Sequence, residues 1–458
     1  MSRLIFFAIA WAAVIAALVI GKNKKRLMLS FLVLYFPFEI GIIFFISHGF
    51  MLTDLPLFIL VFIGLFDKSR FRFVKEAVPI LILVFAGLLS STYAQNSNWA
   101  ISEALRYARG LLIFLVIVNE VKDPKDLRTV INCLFIGLFF QSLVAIYQWR
   151  FGAVGLQFLG ERHYGGWRTR GTFGHESIFG NYLIFLIPLI FRLFVYYRHP
   201  IKAHNIRHAV LLLCGAMALF TSFTRGPWVG FTLSVTVMVF YSLHAKKLRP
   251  KFYVPFAIML IGASVFFVRY LPKIIGQFQG DRMESADIRM PLNRVALRVI
   301  SANPIFGVGL GNYKETVKHY VVPEDEPDLE SHQIEQLRWD YVHNSFLLVT
   351  AESGVIGGSM FVMIFLIAFI KGKKVLKESK SEYLTNLTIG ILTGLGAVFF
   401  AFQLSPDIHI HQINVLLFIM TSLIIAIGNI QVKLQRQHKM KAYRIHKERV
   451  RYENIRNI

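Results

Sequence analysis

Apolar stretches of about twenty residues, the length that a helix needs to cross a bilayer, recur along the whole chain. Short polar connections separate them, and this pattern predicts an all-α polytopic membrane protein. The stretches at 55–66 and 104–119 are the weakest, because the first is short and the second contains Arg106 and Arg109. Twelve spans with one re-entrant or interfacial helix are therefore as compatible with the pattern as thirteen. We expect spans at residues 4–20, 27–47, 55–66, 77–93, 104–119, 129–149, 178–196, 209–223, 227–243, 252–270, 344–370, 384–403 and 415–430.

The connection 271–342 is too long to be a turn between two spans. We expect it to contain an amphipathic helix at Leu292–Ala302, which lies on the membrane surface or caps the bundle. The apolar residues of this helix are Val295, Leu297, Val299 and Ile300, and its basic residues are Arg294 and Arg298. The later PEDEPDLE stretch is expected to be a solvated loop.

These patterns divide the chain into five segments. They are N-terminal helices at 1–128, central helices with outward loops at 129–270, the large helical outer loop at 271–343, C-terminal helices at 344–430 and a basic tail at 431–458.

Composition and charge agree with a membrane protein. A chain that is 55% hydrophobic and 17% charged, with a mean hydropathy of +0.53, is neither a soluble enzyme nor disordered. Its net charge of +23 would suggest a nucleic-acid partner in a soluble protein.

The basic residues follow the predicted topology instead. Alternate connections hold 32 of the 50 Lys and Arg residues and carry the whole net charge. By the positive-inside rule these segments are cytoplasmic, as is the C-terminus, and we expect no nucleic-acid partner. They are residues 21–26, 67–76, 120–128, 197–208, 244–251, 371–383 and 431–458.

Two predicted outward connections contain arginines that the positive-inside rule does not explain. Residues 160–177, GERHYGGWRTRGTFGHES, place arginines and histidines among glycines, whose backbone N–H groups can approach an anion closely. Contact of these arginines with lipid phosphates is an equally ordinary interpretation. In SFTRGPWVGF, residues 222–231, Arg225 lies at a tight turn beside a helix N-terminus that favours a negative ligand. Membrane-interface snorkelling is the alternative for Arg225.

A third predicted outward segment with candidate site residues is WDYVHNSFLLVTAESGVIGG, residues 339–358. A neutral His343 imidazole, with an ordinary pKa near 6.5, can accept a proton from a sugar hydroxyl. The alternative is a histidine at the helix start that bonds to the backbone. Glu352 lies about 13 Å deeper along the same helix and needs a partner or a cavity there. His409 and His411 could bind a metal, but no third ligand stands nearby, so we expect none.

The residues around His343 match the pattern of a known family. His343, Asn344, Gly354 and Gly357 fit the order His, Asn/Ser/Gln, nine residues, Gly, two residues, Gly. That order resembles the signature of the O-antigen ligases, whose superfamily also includes O-antigen polymerases and protein O-oligosaccharyltransferases. RGTFGHESIFGNYL, SFTRGPWVGF and NPIFGVGLGNY resemble further segments of this superfamily, although Thr224 precedes the arginine where a serine is usual. The resemblance covers roughly residues 130–430.

The resemblance implies an inverting, metal-independent glycosyltransferase of the integral-membrane C type that needs no cofactor. The donor would be a glycan on undecaprenyl diphosphate, and the acceptor a lipid A–core sugar at the periplasmic face of a bacterial inner membrane. Arg168 is the alternative to Arg170 as the diphosphate-binding arginine, because the alignment through RTRG can shift by two residues. The implied site consists of the catalytic base His343, the diphosphate-binding Arg170, Arg225 and Arg168, and the supporting Asn344, Glu352 and His175.

Three alternatives remain open at the level of sequence. A polymerase would transfer the growing chain to another lipid-linked repeat, and a protein O-oligosaccharyltransferase would use a Ser or Thr hydroxyl. A small-anion transporter would be a non-enzymatic member, but charges near the middle of the membrane are expected there, and these arginines cluster at one face.

Overall fold

The structure, a computed structural model, describes residues 2–21, 23–38, 42–45, 48–66, 71–152, 168–197, 200–244, 268–269, 271, 288–325 and 331–456. Nearly all of the secondary structure in these ranges is helical, which confirms the all-α prediction. The helices are α1 (Ser2–Ile20), α2 (Lys24–Tyr35), α3 (Asp54–Phe66), α4 (Val78–Ser90), α5 (Ser97–Glu120), α6 (Pro124–Phe151), α7 (Glu176–Tyr196), α8 (Lys202–Ser222), α9 (Arg225–His244), α10 (Arg289–Ala302), α11 (Tyr313–Val317), α12 (Ser331–Trp339), α13 (Ser345–Glu378), α14 (Glu382–Ala401) and α15 (His411–Arg456).

Six of the described helices are long and apolar enough to span a membrane, so the chain is a multi-pass membrane protein. Two shorter apolar helices occupy Ala8–Ile20 and Asp54–Phe66. The total of twelve or thirteen spans remains a prediction, and the span expected at 252–270 lies outside the described residues except for 268–269. The six long helices are Pro124–Phe151, Glu176–Tyr196, Lys202–Ser222, Ser345–Glu378, Glu382–Ala401 and His411–Met440.

The span predicted at 27–47 is wrong. Helix α2 ends at Tyr35, a 3₁₀ turn covers Phe36–Phe38, and two short antiparallel strands, β1 (Ile42–Phe45) and β2 (His48–Phe50), follow. Pro37 explains the end of the helix, because proline has no N–H for the helical ladder. The prediction missed this break because residues 27–47 are apolar on both sides of it.

Helix α7 lies at the centre of the bundle. It packs against α8, α9 and α14 and is buried along nearly its whole length. The apolar part of α15 is similarly buried and contacts α5 and α13. A helix that is apolar on all sides is stable only inside such a bundle, so these two helices form the framework for their neighbours.

The two arginines that weakened the prediction of a span at 104–119 are paired with carboxylates on α3 and α5. The Arg109 guanidinium donates through Nε and a terminal nitrogen to the two Asp54 carboxylate oxygens, at 2.6 and 3.0 Å. Arg106 pairs with Glu103 one turn earlier on α5, at 2.5 Å. Each ion pair thus gives a buried carboxylate, Asp54 or Glu103, the charged partner that a buried charge needs.

Ion pairs join two of the predicted cytoplasmic connections, 21–26 and 120–128. Lys25 pairs with Glu120 at 2.9 Å, and Arg26 pairs with Asp126 at 2.7 Å. Helix α13 begins beside His343 and ends among lysines of the connection 371–383, so His343 lies at the opposite end of that helix.

The large connection contains the amphipathic helix that the sequence predicts. Helix α10 begins at Arg289, three residues earlier than expected, and buries Leu292, Val295, Ala296 and Val299. Leu297 is 51% exposed, so this apolar residue does not belong to the buried face of the helix. The acidic stretch is not simply solvated either, because Asp325 is buried and accepts two hydrogen bonds from Arg298, at 2.5 and 2.6 Å.

The large connection is joined to α13 at a kink. Gly354 has a φ of +68°, and a Cβ there would overlap the carbonyl oxygen of Ile305. Where the kink interrupts the helical ladder, Val355 N–H donates to Pro304 at 2.8 Å, and Val308 N–H donates to Ala351 at 3.0 Å. The loop thus satisfies backbone groups that the kink leaves without helical partners.

Candidate functional site

A cavity of about 620 Å³ lies among the turns at the His343 end of the bundle. Six parts of the chain form its wall: the Arg168–His175 segment, the start of α7, the α8–α9 turn, the start of α10, His343 just ahead of the N-cap of α13, and the connection from α14 to α15. Its lining residues are Arg168, His175, Ser177, Ile178, Asn181, Phe223, Thr224, Arg225, Gly226, Pro227, Val229, Arg289, His343, Ala401, Leu404, Ser405, Pro406 and Asp407.

The α8–α9 turn brings Arg225 to this cavity. Only two residues separate the helices, and the first, Phe223, adopts a left-handed conformation with φ of 49°. Arg225 is the first residue of α9, and Pro227 lies in its first turn, where proline fits because no helical N–H bond is required. The prediction that Arg225 is fixed between two helix ends is therefore confirmed.

Arg168 lines the cavity, whereas Arg170 does not. The Arg168 guanidinium donates to the carbonyls of Ser222 and Phe223, at 3.2 and 2.8 Å, and pairs with Glu176 at 2.5 Å. It therefore links its own segment to the end of α8. Arg170 instead directs one guanidinium nitrogen to the Gly174 carbonyl, at 3.3 Å.

Two glutamines of α6 hold the segment that carries these arginines. The Gln148 side-chain oxygen accepts the N–H groups of Arg170 and Gly171, both at 3.0 Å, and its nitrogen donates to the Gly171 carbonyl at 2.6 Å. Gln141 similarly accepts from Thr172 N–H at 3.0 Å. Residues 160–167 lie outside the described part of the chain, as do Arg162 and His163 within them.

His343 is half-buried in the cavity wall, directly before α13. Asn344 is the N-cap of this helix, and its side-chain oxygen accepts from Phe346 N–H and Leu347 N–H at 2.9 and 3.1 Å. This cap fixes the backbone next to His343, and the supporting role of Asn344 in the reaction stays a prediction. Within the described residues, no hydrogen bond holds the imidazole to the backbone, so the alternative of a backbone-bonded histidine gains no support.

Electrostatics keep His343 neutral. Burial lowers its pKa below the usual 6.5, the positive charge of Arg289 and nearby His175 lower it further, and Asp340 partly opposes them. A neutral imidazole at neutral pH can accept a proton.

Arg289 is the residue that sequence reasoning missed at this site. It stands at the first position of α10 and lines the cavity with Arg225 and His343. Burial lowers its pKa, and the like charge of Arg225 lowers it further, although a guanidinium remains charged at neutral pH. The only available signal was its position just before the predicted start of the amphipathic helix.

His175 and Glu352, two other predicted site residues, have different surroundings. His175 lines the cavity rim and caps α7, because its Nδ1 accepts from Ser177 N–H at 3.2 Å. Glu352 is fully buried away from the cavity lining, where its carboxylate lies 3.1 Å from His409 Nε2. The other His409 ring nitrogen lies 3.0 Å from Glu103, so carboxylates occupy both sides of this imidazole.

Asp407 and Asn181 are further cavity residues that sequence reasoning did not select. Asn181 on α7 donates to the Asp407 carboxylate at 2.5 Å and to Ser405 Oγ at 3.2 Å. Burial raises the pKa of Asp407, while the hydrogen bonds from Asn181 and Ser405 oppose that rise. The cavity lining thus includes the carboxyl group of Asp407 as well as the positive charges of several arginines.

The arrangement has the chemistry of an anion site with a base. Three arginines, Arg168, Arg225 and Arg289, face one space, and His343 faces the same space. Guanidinium groups suit diphosphate because they combine fixed charge with paired N–H donors.

The comparison with protein families agrees with the sequence resemblance. Residues 209–362 match the sequence model of a family described as O-antigen ligase. The matched segment begins in α8, ends in α13, and contains Arg225, Arg289 and His343. No curated protein matches the chain.

Proposed function

Over residues 209–362 the chain belongs to the O-antigen ligase family, and from this premise we propose that it transfers a lipid-linked glycan. The donor is an O-antigen chain on undecaprenyl diphosphate, and the acceptor is a sugar hydroxyl of lipid A–core. The observation that carries the proposal is the meeting of Arg225, Arg289 and His343 in one cavity. Family membership supports glycosyl transfer. The cavity supports the assignment of diphosphate binding to the arginines and of proton transfer to His343.

The three arginines hold the diphosphate of the donor. Arg225 contributes both its guanidinium and the N-terminus of α9, where free N–H groups and the helix dipole favour negative charge. Arg289 adds a second cation from α10, and Arg168 contributes a third that Glu176 partly neutralises. Arg170 remains a candidate through its neighbouring position, but it does not line this cavity.

His343 acts as the general base. Its neutral imidazole accepts the proton of the acceptor hydroxyl as that oxygen forms a bond to the anomeric carbon. The bond from the anomeric carbon to the diphosphate breaks on the opposite face, so the configuration inverts. The diphosphate leaves as an anion that the arginines stabilise, and it needs neither a proton nor a divalent cation.

The walls of the cavity suit a donor with a lipid chain. Ile178, Val229 and Leu404 give it an apolar side beside the charged one, and Val229 is 51% exposed on α9. A polyprenyl chain can lie against such a surface while its diphosphate faces the arginines. This combination favours a lipid-linked anion over a small free anion.

We assign the cavity to the periplasmic face of the bacterial inner membrane. The positive-inside rule makes the end with the paired basic connections cytoplasmic, including the tail that α15 continues to Arg456. His343 lies at the other end of α13. O-antigen donors and lipid A–core would meet the site from the same leaflet.

Deletion of the gene tests the proposed reaction. We expect long glycans to accumulate on undecaprenyl diphosphate while lipid A–core stays bare. Core that carries a single repeat would instead identify a polymerase, and glycans missing from secreted proteins would identify a protein O-oligosaccharyltransferase. Unchanged lipopolysaccharide with unchanged lipid-linked intermediates would reject the proposal.

A further inference from the structure

A buried ionic cluster of Arg106, Glu103, His409 and Glu352 lies beside the cavity. His409 stands at its centre, with Nδ1 at 3.0 Å from Glu103 and Nε2 at 3.1 Å from Glu352. Arg106 pairs with the same Glu103 carboxylate at 2.5 Å. The side chains of Glu103 and His409 are each 9% exposed, and that of Glu352 is fully buried.

The charges of this cluster balance only when His409 is protonated. Two carboxylates then face two cations, Arg106 and the imidazolium. Burial lowers the pKa of His409, but the charges of Glu352 and Glu103 outweigh burial and raise the pKa to about 10. The imidazolium is therefore the form present at neutral pH, and it attracts the carboxylates of two different helices.

The cluster joins a cavity wall to the helix that follows His343. His409 lies two residues after Asp407, in the connection that also supplies Ser405 to the cavity. Glu352 lies on α13, whose first residue comes two positions after His343. The ion pair between His409 and Glu352 therefore sets how this connection sits against α13.

A second pair of contacts holds the same connection at the start of α13. Ser345 N–H donates to the Phe402 carbonyl, and Ser345 Oγ donates to the Ser405 carbonyl, both at 2.7 Å. The connection is thus attached to α13 at its N-terminus and again about two turns further along. Two attachment points restrain rotation of the connection, which one point alone would permit.

We propose that His409 is a positioning residue for glycosyl transfer. Clamped between Glu103 and Glu352, it holds Ser405 and Asp407 in the cavity wall at a fixed separation from His343. This proposal rests on the proposed function, because its effect is on the approach of the acceptor hydroxyl to the base. The donor diphosphate is held by arginines on other elements, so loss of the clamp lowers kcat and leaves donor binding nearly unchanged.

Two substitutions of Glu352 break its contact with His409 in different ways. Glu352→Asp keeps the negative charge but withdraws it by one methylene, whereas Glu352→Gln keeps the length and removes the charge. We expect both variants to bind one undecaprenyl diphosphate per chain with a Kd within about twofold of wild type, and to lose about a hundredfold in kcat. His409→Gln should behave in the same way.

Asp325→Asn is the matched control, because it breaks another buried ion pair, that with Arg298, in the large connection. It should lower thermal stability without lowering kcat per donor-binding chain. The proteins are compared in nanodiscs of phosphatidylethanolamine and phosphatidylglycerol, with kcat divided by the measured number of donor sites. This division removes the effect of misfolded protein, which a purely structural role would produce.

Wild-type kcat per donor site in Glu352→Asp and His409→Gln would overturn the positioning role while leaving the transfer reaction intact. An equal loss of kcat in Asp325→Asn would also overturn it, because the effect would then be general. A wild-type protein that binds the donor but transfers nothing would reject the proposed function, and the kinetic role of His409 with it.

Discussion

The positive charge of Arg289 lowers the pKa of His343 from across the cavity that both residues line. These residues belong to different parts of the outer structure, one at the start of α10 and the other directly before α13. In the proposed reaction the Arg289 guanidinium would attract the diphosphate, and it would add to the effect of burial, which is the main cause of the lowered pKa of His343.

The pH dependence of transfer follows from this relationship. His343 must be neutral to accept a proton, so kcat/KM falls as the pH drops through its pKa, which lies below 6.5. Asp340 raises this pKa, so Asp340→Asn should move the acid limb to lower pH. Arg289 lowers it, so Arg289→Gln should move the limb to higher pH. Opposite shifts in the two pH profiles are the expected result, and shifts in the same direction would reject His343 as the titrating group.

Removal of either cavity arginine should weaken donor binding. We expect Arg225→Gln and Arg289→Gln each to raise the Kd of undecaprenyl diphosphate by about ten- to a hundredfold, because each loses a charge-assisted contact. Titration of the purified variants in nanodiscs measures this directly. Arg294→Gln is the matched control for Arg289, since Arg294 is exposed on the same helix and does not line the cavity. An equal loss in Arg294→Gln would indicate only a general effect of surface charge.

The cap of α13 should matter for the placement of His343. Asn344→Ala removes the acceptor for Phe346 N–H and Leu347 N–H and should lower stability by about 1 kcal/mol. Asn344→Ser retains a capping oxygen, so it should keep both the stability and the rate. Thermal unfolding and transfer rate are measured on the same preparations. Equal stability of the Ala and Ser variants would show that the cap contributes nothing.

Gly354 should tolerate no side chain. Its left-handed φ disfavours other residues, and a Cβ would overlap the Ile305 carbonyl, so we expect Gly354→Ala to lower stability by about 3 kcal/mol. Gly396→Ala is the control, because its Cβ would meet only the tip of Phe369, at 3.9 Å, within a regular helix. Thermal unfolding in detergent compares the two, and similar stabilities would contradict the strained geometry at Gly354.

Much of the fold could be predicted because lipid imposes a simple rule on sequence. Apolar stretches of sufficient length become helices, so α6, α7, α13 and α14 fall close to their expected positions. The rule failed at 27–47, where Pro37 ends the helix despite continuing hydrophobicity. Local backbone chemistry decided that boundary, and a hydropathy pattern does not contain it.

The candidate site could be predicted in part for a different reason. His343 and Arg225 stood out because they interrupt apolar surroundings on the side that avoids positive charge. Arg289 and Asp407 did not, because each belongs to an ordinary polar stretch and reaches the cavity only through tertiary packing. The partners of Glu352 were likewise invisible, since Glu103 and His409 lie far from it in sequence.

An assay with purified components tests the proposed transfer reaction itself. Wild-type protein in nanodiscs is mixed with O-antigen on undecaprenyl diphosphate and with lipid A–core, and the joined glycolipid is measured with and without a divalent-cation chelator. We predict a product of inverted anomeric configuration that forms equally fast with chelator and whose rate falls about a thousandfold in His343→Gln. No product from wild type would contradict the proposed transfer reaction, and an undiminished rate in His343→Gln would contradict the role of His343 as its base.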